Sequence, residues 1–453
     1  MAARLWIDVE DLFEYAHANP RPSGIQRLAF ELYRTLEAQA GASGVVRFVR
    51  HDPVRNGFLC VAWPEVAALF AGLTSDDRPP TAKLAAIRPR PPTWRFMRRL
   101  LHRLPPPVRA ALIEALQTQA GAWRAWNRLV GASVHEIGRI PARIRSLRAR
   151  GSSSYSNDFA TLAAPGDWLL VLGAPWSHPD YAGLIRAQCQ QRGLRFGLLV
   201  YDLIPARHPE WCDRGLVRVF RAWFDSVLPL CDAVFAISRA TASDVEAYAR
   251  ERGVSLPGPV LPVPVGTGFG GIRHAEPGGR SARLPPPGTY VLFVSTIEAR
   301  KNHLLLFRVW QQLLRDLPRA QVPVLVFAGR VGWLVDDLMH QIANTDNLDG
   351  HLLLVESPTD AELTSLYEGC LFTVFPSFYE GWGLPVTESL SFGKPCLIAD
   401  RTSLPEAGGN LVRRFDPDNL HDAYREIRAA FDDREGLAHW EEQVRREFRP
   451  VPW

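Results

Sequence analysis

The stretch Phe375-Pro-Ser-Phe-Tyr-Glu-Gly-Trp-Gly-Leu-Pro-Val-Thr-Glu388 constrains the fold of this chain more than any other. The apolar run from Cys370 to Phe375 reads as a buried strand. The loop after it is broken by Gly381 and Gly383, and Pro385 with Val386, Leu390 and Phe392 then predicts a helix carrying proline in its first turn. A strand feeding a glycine loop and a helix start presents unpaired amides and a positive dipole end, which suits a phosphate. Two carboxylates, Glu380 and Glu388, flank that position with seven residues between them.

At 453 residues the chain is long enough for two domains and an extra segment. Its 47% hydrophobic and 22% charged content is that of a globular protein. No apolar run reaches the roughly 18 residues that span a bilayer, and the N-terminus carries no signal-peptide pattern. The six cysteines are scattered without a C-x-x-C pair, so buried free thiols are expected rather than disulfides or zinc. The net charge of +4 is unevenly spread. Fifteen Lys/Arg face two acids between Lys83 and Arg150, so the rest of the chain is net negative. A basic segment in an acidic chain calls for an anionic partner or surface.

In chain order, Arg4 to Val9 reads as a first strand, and Ile25, Leu28, Ala29, Leu32 and Leu36 as a helical stripe opening at Gly24. Val45–Val49 and Phe58–Ala62 are further strands. The basic segment follows, mixing prolines with helical stretches that carry Trp94, Trp123 and Trp126. It reads either as a helical insertion with a solvated basic face or as an amphipathic surface for anionic lipid. Gly151-Ser-Ser-Ser closes it as a linker. Strands are then expected at 167–173, 195–200, 233–237 and 263–265, with Ser238 capping a helix. The run Gly266-Thr-Gly-Phe-Gly-Gly271 is followed by no helix and is not read as a dinucleotide loop. Residues 274–288, rich in Gly, Pro and Arg, form a linker. Beyond it, strands at 290–295, 324–328, 352–355, 371–375 and 396–399 alternate with helices, which predicts a second parallel sheet. The domains are therefore drawn as 1–273, with the insertion at 83–155, and 289–453.

Taken together, Ser23-Gly-Ile-Gln-Arg27, Tyr201-Asp-Leu-Ile-Pro205, Thr296-Ile-Glu-Ala-Arg-Lys-Asn302, Gly329-Arg-Val-Gly-Trp333, Glu380 to Glu388 and Ser403-Leu-Pro-Glu406 resemble a retaining glycosyltransferase of family 4. The resemblance is to bacterial mannosyl- and rhamnosyltransferases of surface-polysaccharide assembly. It implies the α/β GT-B fold, two Rossmann-like parallel-sheet domains facing a cleft, with a nucleotide-diphosphate sugar held by the second. Under that resemblance Glu388 accepts hydrogen bonds from the ribose, and Glu380 is the carboxylate at the reacting sugar. Gly383 and Leu384 present amides, while Arg300 and Lys301 hold the leaving diphosphate beside Thr296. Gly24 lets the first domain approach the same phosphates. Fixed cations and helix dipoles then take the place of a metal, so neither metal nor cofactor is expected.

Two departures bear on the first domain and on the end of the chain. Relatives often place His before Asp where this chain has Tyr201-Asp202, and Tyr is no base at neutral pH. Asp202 is therefore the first-domain candidate at the reacting centre. Relatives also continue through a final helix that crosses back to the first domain, whereas this sequence runs to Pro450-Val-Pro-Trp453, so either a lost or replaced closing helix or a truncated polypeptide is expected. The implied partners are a nucleotide-sugar donor, a glycan or lipid-linked glycan acceptor and an anionic membrane surface met through 83–150. The implied location is the cytoplasm, at the inner face of the membrane, and nucleic acid is not expected. The competing readings are a nucleotide-sugar epimerase of the same fold and a non-catalytic nucleic-acid-binding or adaptor protein that uses the basic segment.

Overall fold

A computed structural model describes residues 3–19, 21–52, 56–74, 158–268 and 281–453. The basic insertion at 83–155 and the linker residues 274–280 lie outside the described residues, and so do the expectations placed on them. The described residues build two sheets. The first runs in the order β3 (Gly57–Val61), β2 (Val46–Asp52), β1 (Leu5–Asp8), β4 (Trp168–Val171), β5 (Arg195–Val200), β6 (Ala233–Ala236), β7 (Leu261–Pro262). The second runs β10 (Leu352–Val355), β9 (Val324–Ala328), β8 (Tyr290–Val294), β11 (Thr373–Phe375), β12 (Cys396–Ala399), β13 (Arg413–Phe415).

Every pairing in the second sheet is parallel. In the first sheet the exception is β2 with β3, an antiparallel hairpin at the edge, where the four residues between Asp52 and Gly57 leave no room for a crossover helix. Edge strand β13 carries Arg413 and Arg414 and is too short and too charged to read as a strand from sequence. The β7 pairing falls at Leu261–Pro262, two residues before the expected strand.

Parallel strands are buried on both faces, and their sequences are accordingly near-continuous apolar runs. Phe196, Leu198 and Val200 of β5 join Trp6, Phe159 and Phe224 in the first core. Phe293 and Phe327 join Phe307, Trp310 and Phe372 in the second. Among the described residues no helix is long and apolar enough to cross a membrane. All six cysteines are free thiols.

The last described helix is Arg434–Glu447, and the segment after it returns to the first domain as extended chain. The Thr267 N–H donates to the Val451 carbonyl at 2.8 Å, and the Val451 N–H donates to the Thr267 hydroxyl at 3.0 Å. The Trp453 indole N–H donates to the Gly268 carbonyl at 2.5 Å. An extended tail thus makes a return contact with the first domain.

Candidate active site

The carboxyl ends of β8 and β11 bring the two central motifs together. After β8 the chain enters a short turn, Ala299–Lys301, that ends at Asn302 in the left-handed region (φ 57°) and starts the helix His303–Asp316. After β11 it crosses 376–383 and enters the helix Leu384–Ser391, with Pro385 in the first turn as the sequence predicts. Gly383 supplies the entry at φ 118°, and a Cβ there would lie 2.9 Å from the Leu404 side chain. The loops are clamped by the Phe378 N–H, which donates to the Arg300 carbonyl at 3.0 Å.

Glu380 is the hub. Arg300 Nη1 lies 2.9 Å from Glu380 Oε2, and Lys301 Nζ lies 2.6 Å from Oε1. Burial alone would raise the Glu380 pKa, but Arg300 and Lys301 outweigh it and hold the carboxyl at about 2. Arg300 also pairs with Glu298 at 2.6 Å and donates to the Tyr379 carbonyl. Burial works against its charge, yet Glu380 and Glu298 hold its pKa above the ordinary value. Lys301 is pushed below its ordinary value by burial and by Arg300 beside it. Glu298, only 4% exposed, is the site residue that sequence reasoning missed; its signal was its place in the same short loop, two residues before Arg300.

Asp202 reaches this cluster from the first domain. It follows β5, accepts the Ile204 N–H at 2.9 Å, and has its pKa raised by burial against the pull of Arg300 and Lys301. The close approach of the domains is made by glycine: a Cβ on Gly381 would sit 2.1 Å from the Tyr201 carbonyl oxygen and 3.2 Å from Asp202 Cβ. The Thr241 hydroxyl, 3.3 Å from the Tyr201 and the Gly381 carbonyls, ties the two loops.

Glu388 is not part of this hub. It lies in the second turn of its helix rather than at its start, and accepts the Tyr367 hydroxyl at 2.8 Å. Burial raises its pKa, opposed by that hydrogen bond and by Arg27. Gly24 opens the helix Gly24–Ala40 with Leu384 opposite, where a Cβ would lie 3.9 Å from the leucine methyl. Arg27, one turn on, pairs with Asp360 at 3.1 Å. Gly24 and Leu384 therefore face each other across the domains, with Glu388 one turn beyond. Thr296 packs beneath the neighbouring loop, 2.8 Å from where a Gly332 Cβ would stand, and that loop runs alongside through the Ile297–Val331 bridge.

Further cross-domain contacts carried no sequence signal. Glu406 accepts the Arg239 N–H at 3.0 Å and so caps the helix Arg239–Arg252 of the other domain. The Trp333 indole donates to the Trp211 carbonyl at 2.8 Å. Within the second domain, Asp416 and Asp418 are both engaged by Arg401.

The arrangement sets two cations and three carboxylates in a cleft, one carboxylate coming from the opposite domain. Among the described residues Lys301 donates to Glu380 alone, which leaves two of its three N–H groups for another acceptor.

Residues 280–447 match the family described as glycosyl transferases group 1. The chain is 35% identical over 131 residues to the O-antigen chain mannosyltransferase B of Escherichia coli, covering 29% of this chain and 34% of that one. It is 27% identical over 213 residues to the serotype-specific mannosyltransferase WbdA of Escherichia coli, covering 45% and 25%. It thus spans 34% and 25% of the length of these curated relatives. Among solved structures, sucrose-phosphate synthase from Thermosynechococcus elongatus superposes with a TM-score of 0.50 at 16% identity, covering 99% of this chain and 95% of the other. HepE of Anabaena, solved with UDP and glucose, does so with a TM-score of 0.50 at 11% identity, covering 98% and 94%. At such identities the likeness speaks for the fold, the GT-B pairing of two Rossmann-like domains. Residues 280–447 are therefore a group 1 glycosyltransferase domain, the second of the two domains in a GT-B chain.

Proposed function

We propose that the chain is a retaining hexosyltransferase of family 4 type that moves a mannosyl group from a nucleotide-diphosphate sugar to a growing or lipid-linked glycan. The observation that carries this reading is Glu380, buried between Arg300 and Lys301 and facing Asp202 from the other domain. The mannosyl choice follows the two Escherichia coli relatives.

In this mechanism the incoming diphosphate takes the spare N–H groups of Lys301 and Arg300 beside the N-terminus of the helix Leu384–Ser391. Glu388 accepts from the ribose hydroxyls, and Gly24 with Leu384 admits the phosphates. The bond from the sugar anomeric carbon to the phosphate oxygen breaks, and its electron pair leaves on the diphosphate. The acceptor oxygen bonds to the same face of that carbon, and its proton passes to a phosphate oxygen. Glu380 binds a ring hydroxyl and offsets the positive charge that develops on the sugar. Asp202 orients the acceptor hydroxyl. Positive charge on the leaving group comes from the two cations and the helix, so the reaction needs neither metal nor cofactor. Work at the cytoplasmic face, with 83–150 against anionic lipid, completes the reading.

A thermal-shift screen with UDP and GDP on the full chain tests the donor site. A nucleotide at 100-fold excess over its Kd stabilises by about 2.7 kcal/mol, and Glu388→Ala should abolish that gain. Release of nucleoside diphosphate from GDP-mannose only when a mannan acceptor is present distinguishes transfer from epimerisation. No response to either nucleotide would sink the assignment.

A further inference from the structure

The turn between β12 and the helix Leu404–Gly408 holds a threonine in a backbone conformation that threonine rarely adopts. Thr402 has φ 47°, in the left-handed region, where Gly, Asn or Asp is the ordinary choice. Among the described residues it is the only β-branched one found there. Such strain persists where the surroundings enforce it, and it gathers at functional sites. The turn is closed on either side of Thr402. The Arg401 N–H donates to the Ala399 carbonyl at 2.9 Å, and the Leu404 N–H donates to the Arg401 carbonyl at 3.2 Å.

What this turn holds is the backbone of Glu380. The Glu380 N–H donates to the Thr402 hydroxyl oxygen at 3.0 Å. Ser403, wholly buried, shares its hydroxyl proton between the Glu380 carbonyl at 2.9 Å and the Trp382 carbonyl at 2.8 Å. Both backbone polar groups of Glu380 are thus held by two consecutive hydroxyls from another loop. The helix that follows packs Leu404 against the Gly383 turn and carries Glu406 to the opposite domain.

A turn selected for shape alone would carry glycine or asparagine at this φ. Threonine suits the shape poorly, but it supplies the acceptor that glycine lacks. The Glu380 side chain is held by Arg300 and Lys301, and an arriving diphosphate competes for the same two cations. Those ion pairs weaken when donor binds, whereas the backbone clamp involves neither cation. Resting on the glycosyl-transfer reading above, we propose that Thr402 is a positioning residue of the transfer step. Its hydroxyl fixes the Glu380 peptide, so the carboxylate keeps its place at the sugar while Arg300 and Lys301 turn to the leaving group. The strained backbone is what placing a hydroxyl at that point requires.

Steady-state transfer on the full chain, with GDP-mannose and a mannan acceptor, tests this alongside the thermal response to GDP. Thr402→Val keeps the side-chain shape and removes the acceptor. Its kcat should fall about tenfold, with KM for GDP-mannose within about twofold and the response to GDP unchanged. Thr402→Ser keeps the hydroxyl and should retain most of the turnover. Thr402→Gly relaxes the backbone without restoring the acceptor. It should melt a few degrees above Thr402→Val yet turn over about tenfold slower than the wild type, which separates position from stability. Wild-type kcat in Thr402→Val, or turnover in Thr402→Ser as slow as in Thr402→Val, would overturn the proposal. So would a Thr402→Gly protein whose turnover recovers with its melting temperature, or a loss carried by KM alone. In each of those cases a wild type that transfers mannose leaves the transferase reading standing. A wild type that does not transfer removes that reading and this inference together.

Discussion

Gly381 lies so close to Tyr201 that a single added methyl would penetrate the tyrosine carbonyl oxygen, 2.1 Å from the Cβ position. This contact joins the loop that carries Glu380 to the loop that carries Asp202. Backbone is met there, not the flexible end of a side chain, so the loops themselves must separate to accept a Cβ. Gly381→Ala should leave both cores folded, with an unchanged far-ultraviolet spectrum. Transfer should fall by about 100-fold, as expected when reacting groups are misplaced by about 1 Å. Wild-type turnover in this variant would show that the approach of Asp202 to Glu380 is not needed for the reaction.

The pairing of Lys301 with Glu380 gives a prediction in pH. The folded Glu380 carboxyl titrates at about 2, below its unfolded value. The unfolded chain therefore binds the proton first. The stabilisation is fully present above the unfolded value near 4.5 and is lost as pH falls through about 2. Lys301→Met removes one of the two cations and leaves the carboxylate buried with Arg300 alone. Unfolding free energy at pH 7 should drop by about 3–5 kcal/mol, the cost of breaking a buried pair, and acid unfolding should begin at higher pH. Turnover should fall by about 100- to 1000-fold, because the same ammonium is assigned to the leaving diphosphate. An acid-unfolding curve that superimposes on the wild type would refute the coupling.

Much of this site was legible before the structure, and the reason is periodicity. Val324–Ala328, Leu352–Val355 and Cys396–Ala399 are apolar runs bounded by turn residues, and each is a strand within those bounds. Helix entry at Pro385 was readable because proline at a first turn has a local cause. Pairing across sequence distance was not readable. Nothing in the Arg300-Lys301 dipeptide says that both cations turn onto a carboxylate 79 and 80 residues away, or that Glu298 shares them. The same holds for Glu406, whose partner Arg239 lies 167 residues away in the sequence. The depth of Glu388 in its helix also depended on where the left-handed entry at Gly383 fell, and no side-chain pattern fixes that.

Glu406 makes its cap from the opposite domain, so its loss should loosen closure rather than unfold either core. It accepts the N–H of Arg239 with both oxygens, at 3.1 and 3.0 Å, where the helix Arg239–Arg252 presents its positive end. Removing a cap costs about 1 kcal/mol, here charged to the closed arrangement. Glu406→Ala should raise the radius of gyration in small-angle scattering and weaken nucleotide affinity about fivefold, with little change in melting temperature. Scattering profiles identical to the wild type, with and without nucleotide, would mean that this cap does not govern closure.

His303 offers a second pH effect of the same sign, set in at higher pH. It is 1% exposed, with its ring against Phe293 at 4.4 Å and Phe327 at 4.7 Å. Nε2 lies 3.2 Å from the Ser295 hydroxyl. Burial, aided by the Lys301 charge, pushes its pKa down to about 3 from an unfolded value of 6.5. The unfolded chain thus takes up a proton below 6.5 that the folded chain refuses, so stability is lost as pH falls between 6.5 and about 3. His303→Leu keeps an apolar side chain between the two phenylalanines and removes the titration. At pH 7 it should cost about 1 kcal/mol for the lost Ser295 contact. Between pH 6.5 and 4 the wild type should lose about 1–3 kcal/mol more than the variant, since each pH unit contributes up to about 1.4 kcal/mol per proton. Urea midpoints measured at both pH values check this. Equal losses in the two proteins would show that His303 is protonated in the folded state and that the aromatic pocket does not exclude the charge.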